Sequence, residues 1–389
     1  MFSCIFAAET ANFNNSGTMF MKRHYYIYIG VAVLVFAATL LYYVFVFIPN
    51  RSVSVSGHVS LGEGNIVFTD SVRLKTTPVK NQGRSELCWI YSVLATIETD
   101  RLMQGDSVNL SVDYLARMYM VDQLRRYYFS RGNSHISMRG SMPMTLHLIE
   151  QYGAESWQSF HGDGSLNQRV LTRKLERMAD NVLTHRQGTD ILEKKAEEIL
   201  DSDMGYMPRF VFMLGAEYTP MEFGHSVYMQ GQYECLTSFT HHPFGERFVL
   251  EIPDNRMNDA FLNVPIDTLM QRIDNSLRNG RAVCWEGDIS EEGFLWAQGV
   301  AAMRLKDAGR AGKIDWQGIR QREFETFKTT DDHCMSLVGI ARDNSGRRYY
   351  IAKNSWGTDN RYAGYIYLSE GYVRLKTIAV CMKTELQTP

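Results

Sequence analysis

Twenty-four consecutive residues, Tyr25 to Ile48, carry no charge. At about 1.5 Å per residue, a helix of that length exceeds the roughly 30 Å hydrocarbon core of a bilayer. Tyr25, Tyr26 and Tyr28 at one end and Tyr42 and Tyr43 towards the other suit the two interfaces. Lys22, Arg23 and His24 precede the run and only Arg51 follows closely, which places the N-terminus in the cytoplasm and the chain after residue 50 on the extracytoplasmic side. The competing expectation is a signal peptide cut after Val35-Phe36-Ala37, which would release a secreted protein. Apolar residues continue to Ile48, however, and this favours an uncleaved anchor. A buried core helix fits neither the length nor the terminal position. Met19 or Met21 makes a more usual start, with Met21-Lys-Arg-His24 as the charged flank. The chain is therefore expected to divide into a cytoplasmic N-terminus (1–24), a transmembrane anchor (25–48), a linker (49–75) and one folded region (76–389).

A formal charge of −2 gives no electrostatic footprint for nucleic acid. The six cysteines, at 4, 88, 235, 284, 334 and 381, contain no C-x-x-C pair, so neither a zinc ribbon nor a dense disulfide framework is expected. His241-His242 lacks an H-E-x-x-H or carboxylate–histidine spacing and is read as packing or cleft lining. Residues 166–200 are charged with apolar positions at 171, 175, 178 and 182, the pattern of an amphipathic, solvated helical insertion.

The segment from Thr77 to Leu102 begins as a polar loop containing Gly83. From Trp89 its apolar residues fall at 90, 93, 94, 97 and 102, a helical stripe. Cys88 then stands at a helix N-terminus, where unpaired N–H groups and the macrodipole favour the nucleophilic thiolate. A lone cysteine beside an apolar helix is more often core. Gln82, six residues earlier, changes the weighing, because its amide beside the Cys88 backbone N–H supplies two donors for an oxyanion.

Residues 329–341 begin polar and become a buried strand, with His333 at the start of it. A turn at Asp343–Gly346 leads into a second strand, Arg348–Lys353, ending at Asn354-Ser-Trp356-Gly357. Such a hairpin brings His333 and Asn354 together although they are 21 positions apart. Asn354 can fix the imidazole, and Trp356 can cover that hydrogen bond. Asp331 and Asp332 are read as solvated by default. Cys334, next to His333, is expected to point the other way, into core. Residues 362–368 and 377–382 read as further strands.

Gln-x5-Cys-Trp, then His, then Asn-Ser-Trp-Gly, in this order, resembles the papain-like cysteine peptidases over roughly residues 75–385. Within them the chain looks most like the bleomycin hydrolase and aminopeptidase C branch. Cys88 and His333 stand 245 positions apart, against about 130–150 in papain and cathepsins, and the stretches 233–244, 248–255, 263–267 and 283–290 resemble aminopeptidase C sequences. The resemblance implies an α+β fold with a helical lobe carrying Cys88, an antiparallel sheet lobe carrying His333 and Asn354, and helical insertions. It implies peptide hydrolysis, by an aminopeptidase on the branch's habit, with Cys88 as nucleophile, His333 as base, Asn354 as orienter, Gln82 in the oxyanion hole and Trp89 and Trp356 in support. No cofactor or metal is needed. The branch forms closed hexamers, so a homo-oligomer is among the states implied. Ser85 stands where secreted members have a disulfide cysteine, and Glu86 where glycine is usual. One expectation is that Glu86 pairs with the α-amine of a bound peptide. The rival reading, a membrane-tethered peptide-binding protein of weak catalysis on the same scaffold, rests on Glu86 alone.

Overall fold

A computed structural model describes residues 31, 33–39, 55–56, 66–162, 166–213, 215–305 and 314–384. The chain divides into two units at Ser54/Val55. In the first unit, residues 31 and 33–39 are helical. The rest of the apolar run 25–48 lies outside the described residues, as does Cys4. Among the described residues no helix is long and apolar enough to cross a membrane.

The second unit is built on one sheet, in which eleven strands are joined among the described residues. Its centre is antiparallel throughout. Tyr233–Thr237 pairs with Thr377–Lys383, which pairs with Val283–Gly287, which pairs with His333–Asp343. The hairpin expected from the turn at Asp343–Gly346 is present, Arg348–Lys353 lying against the His333 strand and Tyr365–Ser369 beyond it. The stretch read as a linker holds a strand as well. Phe68–Arg73 pairs with Gly339–Asp343, the outer half of the His333 strand, and its alternating Phe68, Asp70, Val72 pattern is too short and too polar to stand out in the sequence.

Strand alternation sends neighbouring residues into two separate cores. Cys235, Cys284, Cys334 and Cys381 face the helical side and join a core formed by the helices Cys88–Met103, Val112–Phe129 and Met142–Tyr152. Val283, Trp285, Met335, Val380 and Met382 face the other way, against the helix Ile266–Arg278. The Cys88 helix is buried along most of its length, so it acts as a central beam between sheet and helices.

The charged insertion forms two helices, Gln168–Thr184 and Thr189–Met204, where one amphipathic stretch was expected. The break falls at Gly188, whose backbone opens the second helix. Leu171, Leu175 and Val182 are fully buried as the stripe predicts, with Met178 at the margin.

Candidate active site

Cys88 is the first residue of its helix and half-buried. Trp89, next to it, is buried edge-on against Tyr119, and its indole N–H donates to the Met138 carbonyl at 3.0 Å. That anchor requires the neighbouring backbone to come close: a Cβ on Gly140 would meet the Trp89 ring at 2.9 Å. The helix end that carries Cys88 is thus held by packing around the buried Trp89 side chain.

His333 opens its strand directly opposite Gly287. A Cβ on Gly287 would lie 2.2 Å from the Lys376 carbonyl, so the glycine lets the adjacent strand approach beside the histidine. The imidazole is buried. Its Nε2–H donates to Asn354 Oδ1 at 2.7 Å, and that oxygen also accepts the Ser355 N–H at 2.8 Å. Trp356 lies over the histidine with ring centroids 4.9 Å apart, and Trp296 packs edge-on against Trp356 at 5.2 Å. With Nε2 engaged by Asn354, Nδ1 is left for the thiol.

The Cys88 thiol is held well below the ordinary cysteine range. The largest cause is a hydrogen bond from Cys334, followed by the hydrogen bond and positive charge of His333, all against the opposing effect of burial. The Cys334 thiol is pushed up in return. Cys334 is buried, as expected, but it does not turn away from the site. Its strand passes beneath the N-terminal turn of the Cys88 helix, so the sheet face that meets the helix core is also the floor under Cys88. Asp331 is likewise buried rather than solvated, while Asp332 is exposed and accepts from Thr330 Oγ1 at 2.7 Å.

Gln82 is drawn to the site from the loop side. Its backbone N–H donates to the Ser355 carbonyl at 2.7 Å, its Oε1 accepts from Ser355 Oγ at 2.5 Å, and its Nε2 donates to the Ser85 carbonyl at 2.8 Å. One Nε2 proton is committed to Ser85, and the other is the one that an oxyanion can use. Glu86 is engaged elsewhere, in an exposed ion pair with Arg169 at 3.0 Å beside a groove of about 770 Å³.

A buried ionic cluster that the sequence reading missed joins the three segments. Glu98, ten residues along the Cys88 helix, is fully buried and accepts from Lys80 Nζ (2.6 Å), Thr77 Oγ1 (2.5 Å) and the Leu110 N–H (2.7 Å). Lys353 Nζ donates to Thr77 at 2.8 Å. Lys80 is two residues before Gln82, and Lys353 is one before Asn354. A glutamate on an apolar helical stripe was the available signal.

Among the described residues, His241, His242 and Glu251 bring their ligand atoms within 4.8 Å of one another. The group is already satisfied without an ion. Gln321 Oε1 accepts the Thr240 N–H, so its Nε2 faces His241 Nδ1 at 2.9 Å and leaves the His241 proton on Nε2, towards Glu251. His242 also meets Glu251, at 2.6 Å, and stacks on Phe248.

The profile of the Peptidase C1-like family matches residues 212–387, a range that holds His333 and Asn354 and begins after Cys88. Aminopeptidase G of Lactobacillus delbrueckii subsp. lactis is 22% identical over 367 residues, covering 80% of this chain and 82% of its own. Human bleomycin hydrolase is 20% identical over 367 residues, covering 78% and 79%. Together these likenesses support a papain-like C1 peptidase of the bleomycin hydrolase branch. The crystal structure of pepw from Lactobacillus rhamnosis HN001 supports the fold, with a TM-score of 0.60 at 17% identity over 81% of this peptidase and 82% of that chain. Peptide-bond hydrolysis by a cysteine peptidase is the activity of the class, and the reading as a catalytically weak binding protein finds no support in these likenesses.

Proposed function

We propose that the protein is a cysteine aminopeptidase acting through Cys88, His333, Asn354 and Gln82. The observation that carries the reading is the His333–Asn354 hydrogen bond under Trp356, beside a helix-terminal cysteine whose thiolate is favoured. The Cys88 thiolate attacks the carbonyl carbon. The oxyanion takes hydrogen bonds from the Cys88 N–H and the free Gln82 Nε2 proton. His333, protonated at both nitrogens, gives its Nδ1 proton to the departing amine as the C–N bond breaks. It then takes a proton from the water that hydrolyses the thioester, which frees the acid and restores the thiolate. Preference for a free N-terminus is supported by the relatives named aminopeptidase. The test is hydrolysis of paired fluorogenic amides, leucyl and N-acetyl-leucyl, with Cys88→Ala as control. Cleavage of the free-amine substrate alone, lost in the control, supports the reading. Equal cleavage of both refutes the exopeptidase part.

We also propose that residues 25–48 anchor the chain in a membrane with the catalytic unit on the extracytoplasmic side, on the strength of the uncharged run and the basic flank. Recovery of the full chain in the soluble fraction after cell lysis would refute it.

A further inference from the structure

The floor beneath Cys88 is not purely apolar. Ser92 Oγ, one helical turn after Cys88, lies 3.0 Å from Cys284 Sγ, and Thr96, a turn further, lies 2.9 Å from Ser336 Oγ. Cys284 and Ser336 are cross-strand partners, and two residues along the same face the partners are Glu286 and Cys334. The helix turn that follows this progression is the one carrying Cys88, which accords with its contact to Cys334. Glu286 is therefore beneath the nucleophile. It is 2% exposed, and its Oε2 has no hydrogen-bond partner. An unpaired buried carboxyl costs stability, so it is a group with a use to be found.

Two more buried carboxyls stand near it, Asp254 and Asp331, the second two residues before His333. The Asp254 N–H donates to Asp331 Oδ2 at 3.4 Å. Arg139 grips Asp254 through Nε at 2.8 and 3.0 Å and reaches the Asp331 carbonyl at 3.4 Å. Arg256 is the other guanidinium acting on Asp254. Arg139 is drawn to Asp254, and no cation is bonded to Glu286 among the described residues. Burial pushes the Glu286 carboxyl well above its ordinary range and that of Asp331 up to about 6, with the neighbouring acids adding to both. Those are groups that would regain their charge if a cation entered.

We propose that Glu286, with Asp331 and Asp254 around it, receives the free α-ammonium of the substrate's first residue. The inference rests on the aminopeptidase reading and gives it a structural cause. In a peptide the α-nitrogen is about 2.5 Å from the carbonyl carbon that Cys88 attacks. A carboxylate bonding that nitrogen at about 2.8 Å lies within roughly 5 Å of that carbon, and Glu286, the strand partner of the Cys334 that Cys88 contacts, is on this side of the thiol. An N-acyl group would set a neutral, bulky amide against a buried acid and leave that acid unpaired, so blocked peptides are refused for lack of charge as well as for lack of room. Glu86 is the less apt receptor, being half-buried and already paired with Arg169.

The experiment compares kcat/KM for leucyl and N-acetyl-leucyl fluorogenic amides in the wild type, Glu286→Gln, Asp331→Asn and Glu86→Gln. Stoichiometric alkylation of Cys88 by iodoacetamide counts intact sites. In Glu286→Gln, kcat/KM for the free-amine substrate should fall about 10- to 100-fold, the size of one lost charge-assisted hydrogen bond. The free-to-blocked ratio should fall with it, and competitive inhibition by leucinamide should weaken by the same factor. Asp331→Asn should move both in the same direction by less. A ratio within twofold of wild type in an alkylatable Glu286→Gln overturns the proposal, as does a collapse of the ratio in Glu86→Gln alone. Should Glu286→Gln lose its alkylation, Asp331→Asn carries the test with the same two outcomes. If the wild type shows no preference for the free amine, the aminopeptidase reading itself fails, and that is visible before any variant is measured.

Discussion

Replacing Glu98 by alanine tests whether one buried charge holds the catalytic segments in place. Its carboxylate is fully buried and accepts three hydrogen bonds, from Lys80, Thr77 and the Leu110 N–H, with Lys353 tied in through Thr77. Removing it strands two lysines, one 4% exposed and the other reaching solvent little more. Breaking a buried pair from one side costs about 3–5 kcal/mol. That is a large part of the roughly 5–15 kcal/mol that holds a domain together. With a urea m-value of about 3 kcal/mol/M, the midpoint of denaturation should drop by about 1–1.7 M. The pH dependence gives a second readout. Lys80 and Lys353, with the hydrogen bonds of Lys80 and Thr77, outweigh burial and hold the Glu98 carboxyl below its ordinary value. A carboxyl lowered on folding adds stability above its unfolded pKa, near 4.3, and that stability is lost as pH falls through the lower folded value. The wild type should therefore weaken in acid below about pH 4.3 by more than Glu98→Ala does. A loss under about 1 kcal/mol at pH 7, or parallel acid limbs in the two proteins, would show that the cluster is ornamental to the fold.

Other outcomes follow from single contacts. Cys88→Ala should lower turnover by about 10⁴-fold or more while substrate still binds, as removal of a nucleophile does elsewhere. Asn354→Ala frees the imidazole and should cost about 10²-fold in kcat with little change in KM, measured on the leucyl substrate. Cys334→Ala removes the principal hydrogen bond to the Cys88 thiolate, so the thiol pKa should rise and the acid limb of the kcat/KM profile should move to higher pH. An unmoved limb would mean that His333 alone sets the thiolate. Gly140→Ala puts a methyl 2.9 Å from the Trp89 ring and should cost about 1–3 kcal/mol of stability in thermal melts.

Much of this site was legible in the sequence because its chemistry is local. Gln82 and Cys88 are separated by one loop, and His333 and Asn354 by one hairpin whose turn residues mark it. Alternation along the strands also placed Cys334 in a core. What could not be read was which core. The face that carries Cys334 meets the Cys88 helix only after the sheet is assembled in its register, and that register depends on strands from residues 233 to 383. Glu286 was hidden for the same reason, lying in a hydrophobic strand where one acid looks like an edge residue. Glu98 was hidden by its helix: an acid on an apolar stripe reads as noise until the two lysines that neutralise it come from 18 positions before and 255 after. Phe68–Arg73 gave no signal because an edge strand needs no strong propensity when its partner supplies the hydrogen bonds.

That edge strand also decides how the molecule meets a mechanical load. A force that reaches Phe68, past the short pairing of Val55–Ser56 with Arg304–Leu305, enters the sheet through a ladder that runs from Phe68 opposite Asp343 to Arg73 opposite Gly339. Pulled along its axis, such a strand shares tension over several hydrogen bonds at once rather than opening one pair at a time. The load is delivered to the far half of the His333 strand, about 20 Å from the histidine itself at roughly 3.3 Å per residue. Tugging at this end would strip the edge of the sheet before it disturbed the alignment of thiol and imidazole.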